Sequence, residues 1–415
     1  MQVYLVGGAV RDQLLGYPIT DRDWVVVGAT PESMQESGYR PVGKDFPVFL
    51  HPETKEEYAL ARTERKVSRG YRGFEFNTSL NVTLEQDLQR RDLTINAIAQ
   101  SDSGQLIDPW DGQTDLQNRI LRHVSPAFAE DPLRVLRVAR FHARLSPLGF
   151  SVAPQTLDLM RSLSESGELA SLAPERVFAE LSLSLQYANP RPFFETLREC
   201  GALDKILPEL DCLFGVPQVA EYHPEIDTGI HTLMVLSQAC KLSNDPAARF
   251  AAICHDLGKG TTPLDLLPHH YGHEERGAEL TEQLTHRLKT PREYRDLAIH
   301  TARYHTHCHR AFELKPGSLL KLLLAIDALR RPNRFKLYLL ICESDYRGRL
   351  GFEDRPYPQA TYLEALACEV QAINAGDVAN RAKAAGKPVA DQIHRERLKV
   401  ITKFKKDYQA QQDAQ

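Results

Sequence analysis

The sequence is poor in the features that mark several protein classes. Its 415 residues include seven cysteines, an odd number, and no two are spaced as Cys-x-x-Cys, which argues against a disulfide framework and a zinc knuckle. The apolar runs are too short to span a bilayer, and the amino terminus lacks the basic and apolar regions of a signal peptide. We therefore expect a cytoplasmic protein that does not enter a membrane.

A strong charge of one sign is missing too. The formal net charge is −4, so the chain as a whole has no electrostatic attraction to nucleic acid. Any contact with RNA must come from local basic patches, of which the clearest are 62–72, 134–144 and 330–349. A length of 415 residues suits roughly two to four domains, so a single domain is not expected.

The spacing of apolar residues changes along the chain. Up to about residue 110, short apolar runs at 3–6, 24–27, 48–50, 58–61 and 105–107 are separated by Gly, Pro and Asp. This pattern predicts a mixed sheet with a few helices. From Asp131 onward a helical spacing persists almost to the end, which predicts that the rest is all-α. The expected fold class is therefore α+β.

A glycine turn, an arginine and two carboxylates cluster near the amino terminus. Asp21 and Asp23 are two residues apart on a predicted strand, so their side chains point to one face and can share a divalent cation. Hard oxygen ligands of this kind favour Mg²⁺, which also binds substrate phosphates. The adjacent glycines at 7–8 allow backbone to approach a phosphate closely, and Arg11 could grip that phosphate as a fork.

The cluster carries a family resemblance. The segment Gly-Gly-Ala-Val-Arg-Asp at 7–12, with Asp-Arg-Asp at 21–23, resembles the motif of class II tRNA nucleotidyltransferases and bacterial poly(A) polymerases of the polymerase-β superfamily. The resemblance implies a nucleotidyltransferase head in which Gly8 and Arg11 bind the nucleotide, and Asp21 and Asp23 bind Mg²⁺. It also implies a third catalytic carboxylate. Glu57 is our choice for it, with Glu53, Glu56 and Glu64 as nearby alternatives.

A second family block lies at 90–97, Arg-Arg-Asp-Leu-Thr-Ile-Asn-Ala. Its spacing predicts that Asp92 and Asn96 lie one turn apart on a helix. The resemblance implies that Arg91 meets phosphate and that Asp92 and Asn96 hold the ribose or the wall of the site. The alternative is a capped helix with a solvated arginine pair.

The block Glu-Asp-Pro-Leu-Arg at 130–134 is the most informative about base choice. Its spacing predicts that Asp131 and Arg134 share one face of a helix, where a carboxylate can accept from an amino group and a guanidinium can donate to a ring nitrogen. Cytosine and adenine match that order, whereas uracil and guanine reverse it. The resemblance implies that the pair reads the base and that Arg137 and Arg140 contact the nucleotide. The alternative is an amphipathic helix with solvated arginines.

A second chemical site is predicted in the later half. His231, followed by His255-Asp256 in the segment His-Asp-Leu-Gly-Lys, resembles the HD metal-dependent phosphohydrolase superfamily. The resemblance implies a catalytic metal site made by His231, His255 and Asp256, with Asp345 as the final ligand and Asp327 as its alternative. Imidazole ligands suit Ni²⁺, Mn²⁺ or Co²⁺ better than Mg²⁺. Further histidines could also contribute, with the third and fifth of this set preferred: His269, His270, His273, His300, His305, His307 and His309.

Together the resemblances imply a domain plan. We expect a catalytic head at 1–125, a helical neck and body for base recognition and tRNA binding at 126–222, an HD domain at 223–350, and a helical C-terminal tail at 351–415. The implied enzyme adds and repairs the 3'-terminal CCA of tRNA from CTP and ATP without a nucleic-acid template. Its HD domain would add 2',3'-cyclic phosphodiesterase, 2'-nucleotidase and phosphatase activity. The chain is expected as a monomer or homodimer.

Two other functions stay open at this point. A poly(A) polymerase shares the motifs of the head and differs mainly in using ATP repeatedly. A protein of another class, which binds RNA or senses nucleotides without catalysis, would have degenerate sites; every expected carboxylate is present here.

Overall fold

The computed structural model describes residues 1–19, 21–42, 48–66, 74–77 and 79–413. It divides into two compact units, Met1–Ile206 (unit 1) and Leu207–Gln415 (unit 2). Residues 67–72 of the basic patch at 62–72 lie outside the described residues. Within the described ranges, no helix combines the length and the apolar character that crossing a membrane requires.

Unit 1 begins with a mixed sheet, as predicted. Seven of its strands form one sheet in the order β3-β4-β5-β2-β1-β8-β9, β6 and β7 form a hairpin, and β10 pairs with β11. The strands are β1 Gln2–Val6, β2 Asp23–Val27, β3 Arg40–Val42, β4 Val48–Leu50, β5 Glu57–Leu60, β6 Thr63–Lys66, β7 Phe74–Asn77, β8 Ala99–Ser101, β9 Leu106–Ile107, β10 Ile120–Leu121 and β11 Ser151–Val152.

The remainder is mostly helical. The helices of unit 1 are α1 Gly8–Leu14, α2 Pro31–Glu36, α3 Leu84–Gln89, α4 Gly112–Asn118, α5 Leu133–Leu145, α6 Pro154–Glu165, α7 Pro174–Ser184, α8 Arg191–Glu199 and α9 Leu203–Ile206. Those of unit 2 are α10 Pro208–Asp211, α11 Thr228–Leu242, α12 Pro246–Cys254, α13 His273–Arg287, α14 Arg292–His309, α15 Pro316–Ala325, α16 Pro332–Arg347, α17 Pro358–Gln371, α18 Ala375–Ala384 and α19 Val389–Asp413.

The predicted α+β class is confirmed, with one local correction. The expectation of an all-α chain after Asp131 is wrong at β11, which pairs in parallel with β10. A strand of two residues is too short to change the apolar periodicity of its surroundings.

The order of strands determines where the acidic side chains of unit 1 lie. β2 runs antiparallel to β1 and parallel to β5, with Asp23 opposite Glu57 and Trp24 opposite Tyr58. The rings of Trp24 and Tyr58 stack with centroids 5.5 Å apart. Because side chains alternate along a strand, Asp23 and Glu57 share the opposite face of the sheet, at the beginning of their strands.

Unit 2 is a helical bundle with a core of buried apolar side chains. α12 packs against α14, α11 against α16, and α13 against α14. Tyr338 on α16 is fully buried and donates a hydrogen bond to the carbonyl of Tyr304 over 2.7 Å. This packing holds the five helices in contact around the histidine-rich interior.

Candidate functional site

A tight turn at Gly7 begins the site of unit 1. Gly7 has φ +70°, a conformation that suits glycine, and a Cβ placed on it would lie 2.9 Å from Nη1 of Arg91. The turn joins β1 to α1 and brings Gly8 to the wall of a cavity of about 590 Å³. The backbone therefore approaches the cavity where a larger residue would meet Arg91.

Arg11 lies just beneath that turn. It is 2 % exposed, its Nε donates to Oδ1 of Asp12 over 2.9 Å, and its Nη1 donates to Oδ1 of Asn96. Its guanidinium also lies 5.0 Å from the ring centroid of Phe141. These contacts fix Arg11 in the wall of the cavity, and its grip on phosphate stays a prediction.

The predicted carboxylates lie at the edge of the same cavity. Asp21 and Asp23 are exposed and line both this cavity and a neighbouring one, which Glu57 also lines. The alternative Glu56 instead accepts a hydrogen bond from Nε1 of Trp24 over 2.9 Å. The register of β2 and β5 therefore favours Glu57 as the third carboxylate. In the described part of the chain, these three do not form one of the close groups of metal-ligating atoms.

The predicted helix through Asp92 and Asn96 is wrong. α3 ends at Gln89, and Asn96 closes a separate 3₁₀ turn. Asp92 Oδ1 accepts from the backbone N–H of Leu93 over 2.8 Å, and such a local bond competes with helix formation. The two side chains nevertheless meet, because Nδ2 of Asn96 donates to Oδ1 of Asp92 over 3.0 Å.

The predicted helical pair Asp131 and Arg134 also needs correction. Asp131 precedes α5, with φ −114° and ψ 103°, because a residue before proline disfavours the helical region. Its Oδ1 accepts from the N–H of Leu133 over 3.0 Å, and its Oδ2 accepts from Arg176 over 3.0 Å. Arg134 is buried on the first turn of α5, where its Nη1 donates to the carbonyl of Ala127 over 2.6 Å. Both side chains still line the cavity.

The later arginines of α5 are held by carboxylates. Arg137 donates from Nε to Oδ2 of Asp92 over 2.7 Å, and Arg140 donates from Nε to Oε2 of Glu180. Burial favours the neutral form of Asp92, yet Arg137 and the Asn96 amide hold the pKa of Asp92 below its usual value. Arg144, the last of these arginines on α5, donates to Oδ2 of Asp12 over 2.8 Å.

The cavity is positively charged overall and suits a polyphosphate. Nine arginines and five aspartates line it. They are Arg11, Arg62, Arg90, Arg91, Arg134, Arg137, Arg140, Arg144 and Arg176, with Asp12, Asp21, Asp23, Asp92 and Asp131. Sequence reasoning missed Asp12, Arg144 and Arg176; Arg144 and Asp12 lie in segments that it singled out, whereas Arg176 carries no local signal.

The site of unit 2 joins residues from three parts of the bundle. His231 lies on α11, His255 and Asp256 directly follow α12, and Asp345 lies on α16; all four are buried. His231 Nε2 is 3.1 Å from Asp345 Oδ1, and His255 Nε2 is 3.1 Å from Asp256 Oδ2 and 3.8 Å from Asp345 Oδ1. The alternative Asp327 pairs with Arg330 over 2.6 Å instead.

The two preferred additional histidines both lie near Asp256. His273 on α13 and His305 on α14 each have Nε2 3.4 Å from Asp256 Oδ1. His309 also arrives, with Nε2 2.6 Å from Asp345 Oδ2. His307 is exposed, and the ring of His269 stacks on Tyr271.

The electrostatics of this site favour charged carboxylates. Burial disfavours the charged form of Asp256 and of Asp345, but Lys259 beside the first and His309 beside the second hold both pKa values well below the usual range. Burial opposes a charge on His255 as well, yet Asp256 and Asp345 raise its pKa above the ordinary value. The cluster is therefore strongly attractive to a cation.

The donor atoms fit a transition metal. Nε2 of His255 and Oδ1 of Asp256 are buried and form no hydrogen bond with any described residue. The other nitrogen of His255, Nδ1, lies 2.7 Å from the carbonyl of Ala252, which fixes the ring with Nε2 directed at the cluster. Imidazole and carboxylate donors of this kind suit Zn²⁺, Mn²⁺, Ni²⁺ or Co²⁺.

Sequence reasoning missed two supporting residues of this site. Glu225 has Oε1 2.9 Å from Nδ1 of His231, a distance at which a carboxylate can support a histidine that holds a metal. Lys259 has Nζ 2.6 Å from Oδ2 of Asp256 and donates to Gln218 over 2.7 Å. Lys259 stands inside the quoted His-Asp segment, whereas Glu225 gives no signal in the sequence.

Known protein families match three segments of the chain. The Poly A polymerase head domain matches residues 3–122, the "probable RNA and SrmB-binding site of polymerase A" matches 149–213, and the HD domain matches 228–332. A Multifunctional CCA protein of Thioalkalivibrio sulfidiphilus is 58% identical over 408 residues, covering 98% of this chain and 100% of the relative. The polymerase head domain and the HD domain are both metal-dependent.

Solved structures resemble this chain over most of its length. The Bacillus stearothermophilus CCA-adding enzyme in complex with CTP has a TM-score of 0.59 at 24% identity, covering 96% of this chain and 88% of the other. A CCA-adding enzyme solved with ATP has a TM-score of 0.64 at 18% identity, covering 96% and 86%. At these identities the likeness concerns the fold.

Proposed function

This chain belongs to the multifunctional CCA protein family, and from that membership we infer that it adds the 3'-terminal CCA of tRNA from CTP and ATP without a template. The observation that carries the inference is the arginine-rich cavity of unit 1, which has Asp21 and Asp23 at its edge. In each addition, the 3' oxygen of the RNA bonds to the α-phosphorus, pyrophosphate leaves, and the hydroxyl proton is released. On this proposal, the same cavity binds CTP and ATP in turn.

We propose Mg²⁺ as the metal of this site. Asp21, Asp23 and Glu57 would hold it; when bound, it supplies activation of the hydroxyl and charge neutralisation at the leaving pyrophosphate. Gly8 brings its backbone to the triphosphate, and Arg11 and Arg91 contribute positive charge beside it. Asn96 and Asp92 form the wall next to the ribose.

Base choice is proposed for Asp131 and Arg134. The carboxylate of Asp131 accepts the amino group that cytosine and adenine share, and the guanidinium of Arg134 donates to the neighbouring ring nitrogen. The carbonyl of Ala127 fixes the plane of Arg134. Arg137 and Arg140 contact the nucleotide from later turns of α5.

The test is incorporation of labelled CTP and ATP into tRNA that lacks its 3' end. We expect addition of C from CTP alone and of a terminal A only after C. Long A tails without C would identify a poly(A) polymerase. Binding of RNA without incorporation of either nucleotide would favour the non-catalytic alternative.

For unit 2 we propose a phosphohydrolase that acts on 2',3'-cyclic, 2'- or other phosphate ends. His231, His255, Asp256 and Asp345 would hold Ni²⁺, Mn²⁺ or Co²⁺, which supplies a nucleophilic water at neutral pH. The buried donors without hydrogen-bond partners carry this proposal. The test is hydrolysis of 2',3'-cyclic AMP by chelator-treated protein before and after each metal is restored; no hydrolysis with any of them would contradict it.

The two activities suit repair, in which unit 2 clears a damaged RNA end that unit 1 then extends. We also propose the domain limits 1–125, 126–222, 223–350 and 351–415, tRNA as the partner, and the cytoplasm as the compartment. Monomer and homodimer are both compatible with this function.

A further inference from the structure

Two exposed aromatic rings lie on the connection at 262–272 that leads into α13. The rings of His269 and Tyr271 stack with centroids 5.7 Å apart and an interplanar angle of 17°. Both residues are exposed, and Tyr271 is 70 % accessible, which leaves much of its ring open to solvent. Core packing does not account for rings in this position, and the proposed phosphohydrolase gives them no role.

The residue between the two rings attaches the connection to the bundle. Nδ1 of His270 is 2.8 Å from Oγ1 of Thr262, and Nε2 of His270 is 3.1 Å from the carbonyl oxygen of Pro217. A carbonyl only accepts, so Nε2 donates to it and Nδ1 accepts from the hydroxyl of Thr262. His270 is therefore used internally, while the residues on either side of it stack on each other outside.

Arg276 of α13 holds the same connection. Its Nη1 donates to the carbonyl of Tyr271 over 2.7 Å, and its Nη2 donates to Oγ1 of Thr262 over 3.1 Å and to the carbonyl of Gly258 over 3.3 Å. Gly258 lies two residues after Asp256, so Arg276 links the ring pair to the segment of the proposed hydrolytic site. The rings are thus positioned before a ligand arrives, which lowers the entropic cost of binding one.

The ring pair lies beside that hydrolytic site. Tyr271 precedes His273 by two residues, so their Cα atoms are at most about 7 Å apart. Nε2 of His273 is 3.4 Å from Oδ1 of Asp256, a proposed metal ligand. In a nucleoside 2',3'-cyclic phosphate only the ribose separates the base from the phosphoester. A phosphate at Asp256 therefore brings the base to the connection that carries the rings.

We propose that His269 and Tyr271 form a stacking platform for the base of the nucleotide that unit 2 hydrolyses. Every nucleobase has a π face, so the platform favours nucleotides and RNA ends over phosphoesters without a base, and it does not read sequence. The positive charge of Arg276 beside the platform also suits a polyanionic RNA end. The proposal rests on the proposed phosphohydrolase for the place of the phosphate.

The test compares two substrates that differ in the base. They are 2',3'-cyclic AMP and the 2,3-cyclic phosphate of methyl ribofuranoside, which has a methoxy group in place of adenine. We expect Tyr271→Ala to raise KM for 2',3'-cyclic AMP about tenfold, with kcat retained and with both constants unchanged for the substrate without a base. An unchanged KM for 2',3'-cyclic AMP, or an equal rise for both substrates, would overturn the proposal.

Two further variants show whether the ring itself is responsible. Tyr271→Phe keeps the aromatic face and should have the wild-type KM, so a rise as large as that of Tyr271→Ala would contradict stacking. Leu264→Ala is the matched control, because Leu264 lies on the same connection, is 86 % accessible and has no ring. It should leave both substrates unaffected. Circular dichroism checks that each variant is folded.

Binding without hydrolysis separates the platform from the proposed function. In chelator-treated Tyr271→Trp, 2',3'-cyclic AMP should quench the fluorescence of the introduced indole, and the substrate without a base should not. The wild-type protein supplies the background, since Trp24 and Trp110 both lie in unit 1.

The two claims fail in different measurements. Quenching by 2',3'-cyclic AMP, with no hydrolysis by the metal-restored protein, would support the platform and contradict the phosphohydrolase. Hydrolysis whose KM does not depend on the ring of Tyr271 would support the phosphohydrolase and contradict the platform. The absence of both quenching and hydrolysis would contradict both.

Discussion

The two candidate sites of this protein hold their charged groups in opposite ways. In unit 1, Asp23 and Glu57 are exposed at the beginnings of β2 and β5, and Asp21 is exposed just before β2, not on the strand as predicted. The arginines Arg137 and Arg140 of the same cavity are already paired with carboxylates. In unit 2, Asp256 and Asp345 are buried among histidines whose ring nitrogens lie 2.6–4.0 Å from the carboxylate oxygens. The carboxylates of unit 1 are therefore open to solvent and do not form a close group of ligand atoms in the described structure, whereas the candidate metal ligands of unit 2 are enclosed and already close together.

The difference matches the chemistry of the two sites. Mg²⁺ keeps several waters and binds through one or two carboxylates plus substrate phosphates, so an open carboxylate edge is completed when the nucleotide arrives. Imidazole-rich sites supply most ligands from the protein and can bind a metal before any substrate. Unit 1 should therefore need its nucleotide in order to bind metal, and unit 2 should not.

The largest effect is expected from Asp23→Asn. Loss of a metal-binding charge removes several kcal/mol of stabilisation, so CCA addition should fall by about 10³-fold. Hydrolysis by unit 2 should stay unchanged. Primer extension with labelled CTP measures CCA addition, and release of phosphate measures hydrolysis by unit 2. Asp102→Asn, on an exposed turn, is the control and should retain both activities.

His255→Ala should have the opposite effect to Asp23→Asn, with hydrolysis lowered and CCA addition kept. Removal of a buried metal ligand should lower phosphohydrolase activity by about 10²-fold or more, with CCA addition retained. Both activities are assayed on the same preparation, with His307→Ala as the control. Loss of addition in a variant that remains folded would argue against the independence of the two sites.

A smaller effect is expected from Glu225→Gln. Its Oε1 lies 2.9 Å from Nδ1 of His231, and supporting contacts of this kind are worth about 10- to 100-fold in metal affinity. Titration with Mn²⁺ should show weaker binding, while activity at saturating metal recovers most of its value. Glu221→Gln, a nearby exposed position, should bind as the wild type does. An unchanged Mn²⁺ affinity in Glu225→Gln would show that Glu225 does not support metal binding by His231.

The smallest effect is expected from Arg176→Gln. Its ion pair with Asp131 is partly exposed, with side chains 31 % and 21 % accessible, and pairs of this kind are worth about 1 kcal/mol or less. The ratio of kcat/KM for CTP and ATP should therefore change by about two- to fivefold. Arg161→Gln, at an exposed position on α6, is the control. An unchanged ratio would mean that Arg176 does not help to position the base-reading carboxylate.

Local patterns in the sequence predicted the parts of the fold that depend on local physics. Short apolar runs between turn residues predicted the strands β2 and β5, and helical spacing predicted the helices of unit 2. The helix expected through Asp131 was wrong, although Pro132 already gave the reason, because the residue before proline avoids helical backbone. The helix expected through Asp92 was wrong because its side chain caps the following N–H.

Long-range partners could not be read from the sequence. Glu180 and Arg176 lie on α7, far along the chain from the residues that they bind, and no periodicity marks them. From the sequence alone, Glu57 is the first choice for the third carboxylate and Glu56 stays open; the register of β2 with β5, which places Glu57 opposite Asp23, adds support for Glu57. In unit 2 the density of histidines predicted the site, but only the packing of helices showed that His273 and His305 meet Asp256.

Binding of Mn²⁺ with and without a non-hydrolysable CTP analogue tests the contrast between the two sites most directly. We expect nucleotide-independent binding that His255→Ala weakens, and additional binding that appears only with the CTP analogue and is lost in Asp23→Asn. Tight Mn²⁺ binding without nucleotide that Asp23→Asn abolishes would contradict the account, because the site of unit 1 would then be complete on its own.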